Sequence, residues 1–146
     1  MKLLVLFFYL FLNSANLHSQ QKSENLHKRV VGFYKIEENT NLSKEEKINL
    51  LKSYIRPGND NERMALFFYE SWANSKKTSK KIKTKILNIE IIGEGSKALV
   101  TTEDKITLTT GIQNIIVSKA EWFKIDNIWY RGTEKSQLYV NGQRVR

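Results

Sequence analysis

The chain has 146 residues, 24 Lys and Arg against 15 Asp and Glu for a formal charge of +9, 40% hydrophobic and 11% aromatic residues, and no cysteine. That length holds one domain, and the apolar content supplies a core, which excludes wholesale disorder. Without cysteine there are no disulfides, no thiolate catalysis and no Cys-ligated metal, and the two histidines, His18 and His27, are too few and too near the N-terminus for a metal site.

Met1-Lys2 is followed by an apolar run, Leu3–Leu12, and then by the polar and small residues Asn13, Ser14, Ala15 and Ser19. This is the pattern of a secretory signal peptide, because ten apolar residues fall short of the about 20 needed to span a bilayer. Cleavage after Ala15 or Ser19 fits, and Ser19 is favoured, giving a signal over 1–19, a single domain over 20–146 and an exported protein, periplasmic or secreted.

Three helices come next. Leu26, Val30, Phe33, Tyr34 and Glu37 recur at helical spacing and predict a helix over about 24–37, interrupted by Asn39-Thr40-Asn41. Ser43-Lys44-Glu45-Glu46 is a capping box that opens a short amphipathic helix carrying Ile48, Leu51, Tyr54 and Ile55, which Pro57-Gly58 stops. Asn59 or Asp60 caps a third helix with Met64, Phe67, Phe68, Ser71 and Trp72 on its apolar face, ending near Ser75.

The second half reads as strands. Residues 83–92 put Leu87, Ile89 and Ile91 on one face and turn at Gly93-Glu94-Gly95. Residues 97–110 alternate through Ala98, Val100, Thr102, Ile106 and Leu108, residues 112–125 follow after Gly111, and 128–134 close a hairpin across Asp126-Asn127. Strands of about 14 residues must twist, bend or bulge. Helices followed by a long antiparallel meander make an α+β domain with the helices packed on a strongly curved antiparallel sheet.

This order of elements over 24–134, together with the closing hairpin Ala120-Glu121-Trp122-Phe123-Lys124-Ile125-Asp126-Asn127-Ile128-Trp129-Tyr130, resembles the nuclear transport factor 2-like superfamily, a cone-shaped (cystatin-like) α+β fold. Asn127 stands where that family's turn usually has Gly. The short strand pair that often precedes the meander is not evident between Ser75 and Lys83. The resemblance implies a cone whose interior serves isomerases, dehydratases, cyclase-like enzymes or exported domains that only bind or assemble.

A base inside such a cone needs a carboxylate or imidazole in an apolar pocket with a nearby donor. Tyr34, Tyr54, Glu70, Asp104, Glu121 and Tyr130 are conceivable members, yet none stands in a catalytic motif, and Asp104, between Glu103 and Lys105, reads as a turn or solvated edge. No catalytic set, metal site or cofactor is assigned, and His27, beside Lys28 and Arg29, reads as a surface residue. Large aromatics fill cores first. The functional alternative is an apolar cavity with Tyr34, Trp72, Trp122, Trp129 and Tyr130 as ligand-pocket candidates. The hairpin has two registers open to it. A two-residue loop puts Trp129 with Lys124 and Trp122 with Arg131, whereas a bulged three-residue loop puts Phe123 with Trp129 and pairs Glu121 with Arg131.

Lys76, Lys77, Lys80, Lys81, Lys83 and Lys85 fall in ten positions without an acid. Lysines in a last helical turn complement the helix dipole, and lysines on an edge strand block aggregation; the alternative is attraction to a polyanion or anionic surface. Nucleic acid is disfavoured, since no groove-reading motif is present. The reading that results is an exported non-catalytic binding or assembly domain, with a small apolar ligand or a homodimer as partner. Its alternatives are a polyanion binder through 76–85 and a small isomerase- or dehydratase-type enzyme.

Overall fold

The computed structural model describes residues 25–145, the side chains of 133–136 excepted; the expected signal peptide lies outside the described residues. Helix α1 covers residues 25–38, α2 Lys44–Tyr54 and α3 Asn61–Thr78, followed by β1 Ser79–Ile92, β2 Lys97–Leu108, β3 Gln113–Ile125, β4 Ile128–Val140 and β5 Gln143–Arg144. The strands form one antiparallel sheet in chain order, β1-β2-β3-β4-β5. Among the described residues no helix is long and apolar enough to cross a membrane.

Local chemistry sets the boundaries. Ser43 accepts from the Glu46 amide at 3.2 Å while the Glu46 carboxylate accepts from the Ser43 amide at 2.8 Å, completing the capping box at the start of α2. At its other end Asn61 Nδ2 donates to the carbonyls of Lys52, Ile55 and Arg56, so a side chain of α3 satisfies the free carbonyls around the end of α2. Asp60 holds the N-cap position of α3 without a capping bond; its carboxylate takes Arg63 instead. Helix α3 runs three residues past Ser75, because lysines in its last turn suit the helix C-terminus. It then passes directly into β1.

β1 starts at Ser79, four residues earlier than the apolar alternation suggests, so much of the lysine run belongs to a strand. A break in register between Ile86 and Asn88 turns Ile86 inward with Ile89 and Ile91 and leaves Leu87 45% exposed, correcting the expected Leu87-Ile89-Ile91 face. Two further irregularities flank Ala120 in the β3–β4 pairing. These bulges bend long strands around the helices. The Asp126-Asn127 loop has two residues, both at positive φ (47° and 64°), the hand that a tight hairpin requires. Trp122 therefore pairs with Arg131 and Lys124 with Trp129, which selects the two-residue register. β4 extends to Val140, past the expected end at 134, and turns at Asn141-Gly142 into β5.

The core lies between the helices and the inner face of the sheet. Leu26, Val30, Phe33 and Ile36 of α1, Leu51 and Ile55 around the end of α2, and Ala65 and Phe68 of α3 meet Ala98, Val100, Trp122 and Trp129. Phe33 is the hub of an edge-to-face cluster, with ring centroids at 5.3 Å from Trp72, 5.5 Å from Phe68 and 6.1 Å from Trp122.

Candidate functional site

Beyond this packed region the interior opens into a cavity of about 700 Å³ bounded by α1, α3 and the inner faces of β1 to β4. On α1, Val30, Phe33, Tyr34 and Glu37 share one face by their i, i+3, i+4 and i+7 spacing. The face that buries Val30 and Phe33 thus carries Tyr34 and Glu37 along the cavity wall. On β2 strict alternation does the same: Ala98, Val100 and Thr102 are buried, and the next inward positions, Asp104 and Ile106, line the cavity. Helix α3 contributes Met64, Phe67, Phe68, Ser71 and Trp72, with Phe67, 57% exposed, at the rim.

Four polar groups converge in this largely apolar space. The Tyr34 hydroxyl lies 3.4 Å from Thr102 Oγ1, which lies 3.3 Å from Ser118 Oγ, a short chain crossing the inner face from α1 to β3. Burial raises the Tyr34 pKa, so the phenol stays a neutral donor at every physiological pH. Glu37 is nearly buried, and desolvation pushes its carboxyl up to about 7, opposed by Lys76 and reinforced by Asp104. Asp104 accepts from Thr84 Oγ1 at 2.8 Å. Arg131, 2% exposed, points inward from β4, its guanidinium 4.4 Å from the Phe68 ring centroid and 5.6 Å from that of Phe33. Its backbone is clamped as well: Ile55 forms a parallel bridge with it, and the Arg56 amide donates to its carbonyl at 3.1 Å.

The aromatic candidates separate. Tyr34 and Trp72 line the cavity. Trp122 and Trp129 are buried in the packed core away from it, Trp129 with an indole N–H that has no acceptor among the described residues. Tyr130 faces the other side of β4, at a shallow concavity where Arg29 stacks 3.9 Å over Tyr54, lies 5.8 Å from the Tyr130 ring and donates to the Trp129 and Ser53 carbonyls. Asp104 is neither a turn nor a solvated edge; it sits mid-strand, Glu103 and Lys105 flank it on the opposite face, and it faces the interior. Glu70 is exposed, and Glu121, on the outer face, lies 3.8 Å from Lys97 and not against Arg131. His27 is exposed on α1.

The lysine run divides. Lys76 Nζ donates to the Glu37 carbonyl at 2.6 Å, and Lys77 to Asn74 at 3.2 Å. Lys80, Lys81, Lys83 and Lys85 are exposed along β1, the outer strand of the sheet. Two residues of the cavity escaped the sequence reading: Glu37, whose place on the apolar face of α1 was the available signal, and Arg131, for which pairing opposite Trp122 was the only clue. No group of His, Cys, Asp and Glu among the described residues has a metal-binding arrangement.

No family model matches the chain, and no curated protein matches it. Among solved structures, a designed nuclear transport factor 2 protein overlaps 67% of this chain and 85% of its own at 13% identity, with a TM-score of 0.47. A candidate dehydratase of the nuclear transport factor 2-like family from Streptomyces avermitilis overlaps 77% of this chain and 92% of its own at 12% identity, with a TM-score of 0.49. The chain's own topology is three helices laid across a curved antiparallel sheet with a hollow end.

Proposed function

We propose that the protein is an exported, non-catalytic domain that holds a small, largely apolar molecule between its helices and its sheet. The observation that carries this reading is the cavity of about 700 Å³, walled by Phe33, Phe67, Phe68, Trp72, Ile82, Ile106 and Ile116 and furnished with a few convergent polar groups. That is the composition of a small-molecule site. The test is titration with the neutral fluorescent probe N-phenyl-1-naphthylamine. The wild type is expected to enhance its emission saturably, and Ile116→Trp, which fills the cavity from the sheet side, to bind at least tenfold more weakly while melting as a folded protein. Absence of saturable binding by the wild type overturns the reading.

A second reading, an acid–base enzyme, is favoured by one observation: a carboxyl poised near 7 in an apolar cavity that also holds Tyr34 and Asp104. It ranks second because the Tyr34 hydroxyl is engaged with Thr102 and not with a carboxylate. Deuterium exchange at the α-carbons of cyclohexanone tests it: a rate above buffer that Glu37→Gln abolishes would promote the enzyme, and a rate equal to buffer removes this reading for simple ketones.

A further inference from the structure

The least accounted-for group in the cavity is Arg131. Its side chain is 98% removed from solvent, and it forms no ion pair with any described residue. Among the described residues its side chain makes one hydrogen bond, from Nη1 to the carbonyl of the adjacent Gly132 at 2.6 Å. A guanidinium has five N–H donors and no acceptor, so most of its capacity is unspent. Arg131 lines the cavity, so its unspent donors border that space. The rings of Phe33 and Phe68 offer their faces to the cation, but aromatic faces do not satisfy N–H donors. A buried charge is ordinarily paired, and the cavity's acids are placed elsewhere: Glu37 on α1 and Asp104 on β2 toward Thr84, neither within ion-pair distance of Arg131.

We propose that the natural ligand is an amphipathic anion, an apolar body bearing one carboxylate, whose head group pairs with the planar fork of Arg131 while its body lies against Met64, Phe67 and Trp72. This rests on the cavity-binding reading above and assigns the chemical class of the occupant. A planar fork matches the two oxygens of a carboxylate, and the low-dielectric surroundings strengthen the pairing relative to water.

The experiment compares two probes of equal length, octanoate and 1-octanol, by isothermal titration calorimetry on the intact protein at pH 7. The wild type is expected to bind octanoate at least tenfold more tightly than octanol. Arg131→Met, which keeps the length of the side chain and removes the charge, is expected to abolish that preference while retaining octanol binding, and Arg131→Lys to keep part of it. Equal affinities in the wild type overturn the anion assignment and leave the cavity reading standing, whether or not Arg131→Met folds. A preference for octanoate that survives in Arg131→Met overturns Arg131 as the anchor. Failure of both probes to bind overturns the inference together with the reading it rests on.

Discussion

At one end of the interior Trp122 packs opposite Ala98 with Phe33 against it, and all three are buried. Six residues further along the same strand, Asp104 pairs with Ile116 and both face a space of about 700 Å³. Both ends use the same helix α1, the same inner sheet face and the same alternation. What differs is the size and polarity of the facing positions. Ala98 and Val100 are small enough to let a tryptophan lie across them, so the aromatic side chains close the gap. At Thr102 and Asp104 the inner positions become polar, and no described aromatic from β3 or β4 crosses them. Polar groups resist collapse because closing an apolar wall over them would strip their solvation without replacing their partners.

Three substitutions break or sharpen that contrast. The largest effect is expected from Trp122→Ala at the packed end, where a fully buried ring is deleted from a cluster that cannot collapse; a loss of about 4 kcal/mol in urea unfolding is expected. Next comes the pH dependence of the hollow end. Glu37 titrates near 7 when folded and near its ordinary 4.5 when unfolded, so its contribution is fully present below about pH 4.5 and is lost as pH rises through 7. The resulting destabilisation, about 3 kcal/mol at most, should disappear in Glu37→Gln when unfolding is compared at pH 5 and pH 8. The smallest effect is expected from Ile106→Ala. This side chain already borders open space, so its removal enlarges a cavity and creates none, and about 1 kcal/mol or less should be lost. Equal losses for Trp122→Ala and Ile106→Ala would mean that the two ends are packed alike.

The elements that local chemistry specifies were readable in the chain: the capping box at Ser43 and Glu46, the Pro57-Gly58 stop, the periodic face of α1 and the turn at Gly93-Glu94-Gly95. Where long-range pairing decides, the sequence ran out. Asp126-Asn127 admits either hairpin register until β3 and β4 are paired. Leu87 and Ile86 look alike until the bulge chooses between them. Ser79 to Ile82 enters a strand despite its lysines because β2 offers a partner along its full length. The candidate site was half legible. Tyr34 and Trp72 follow from helical spacing, and Glu37 shares the spacing of Tyr34. Arg131 depends on Phe33 and Phe68, residues from helices about 60 to 100 positions earlier, and no local pattern announces a guanidinium between two rings.

The carbonyl of Glu37, at the end of α1, receives ammonium groups from both other helices: Lys47 of α2 at 3.3 Å and Lys76 of α3 at 2.6 Å. The negative end of the α1 dipole is therefore a point where all three helices meet. This polar tie adds to the packing of Phe33 against Phe68 and Trp72, which joins α1 to α3 through the core. Chemically, Lys76 is the one lysine of its basic cluster whose acylation would remove a bond from α3 to α1, whereas acylating Lys83 or Lys85 would alter the charge of an edge strand.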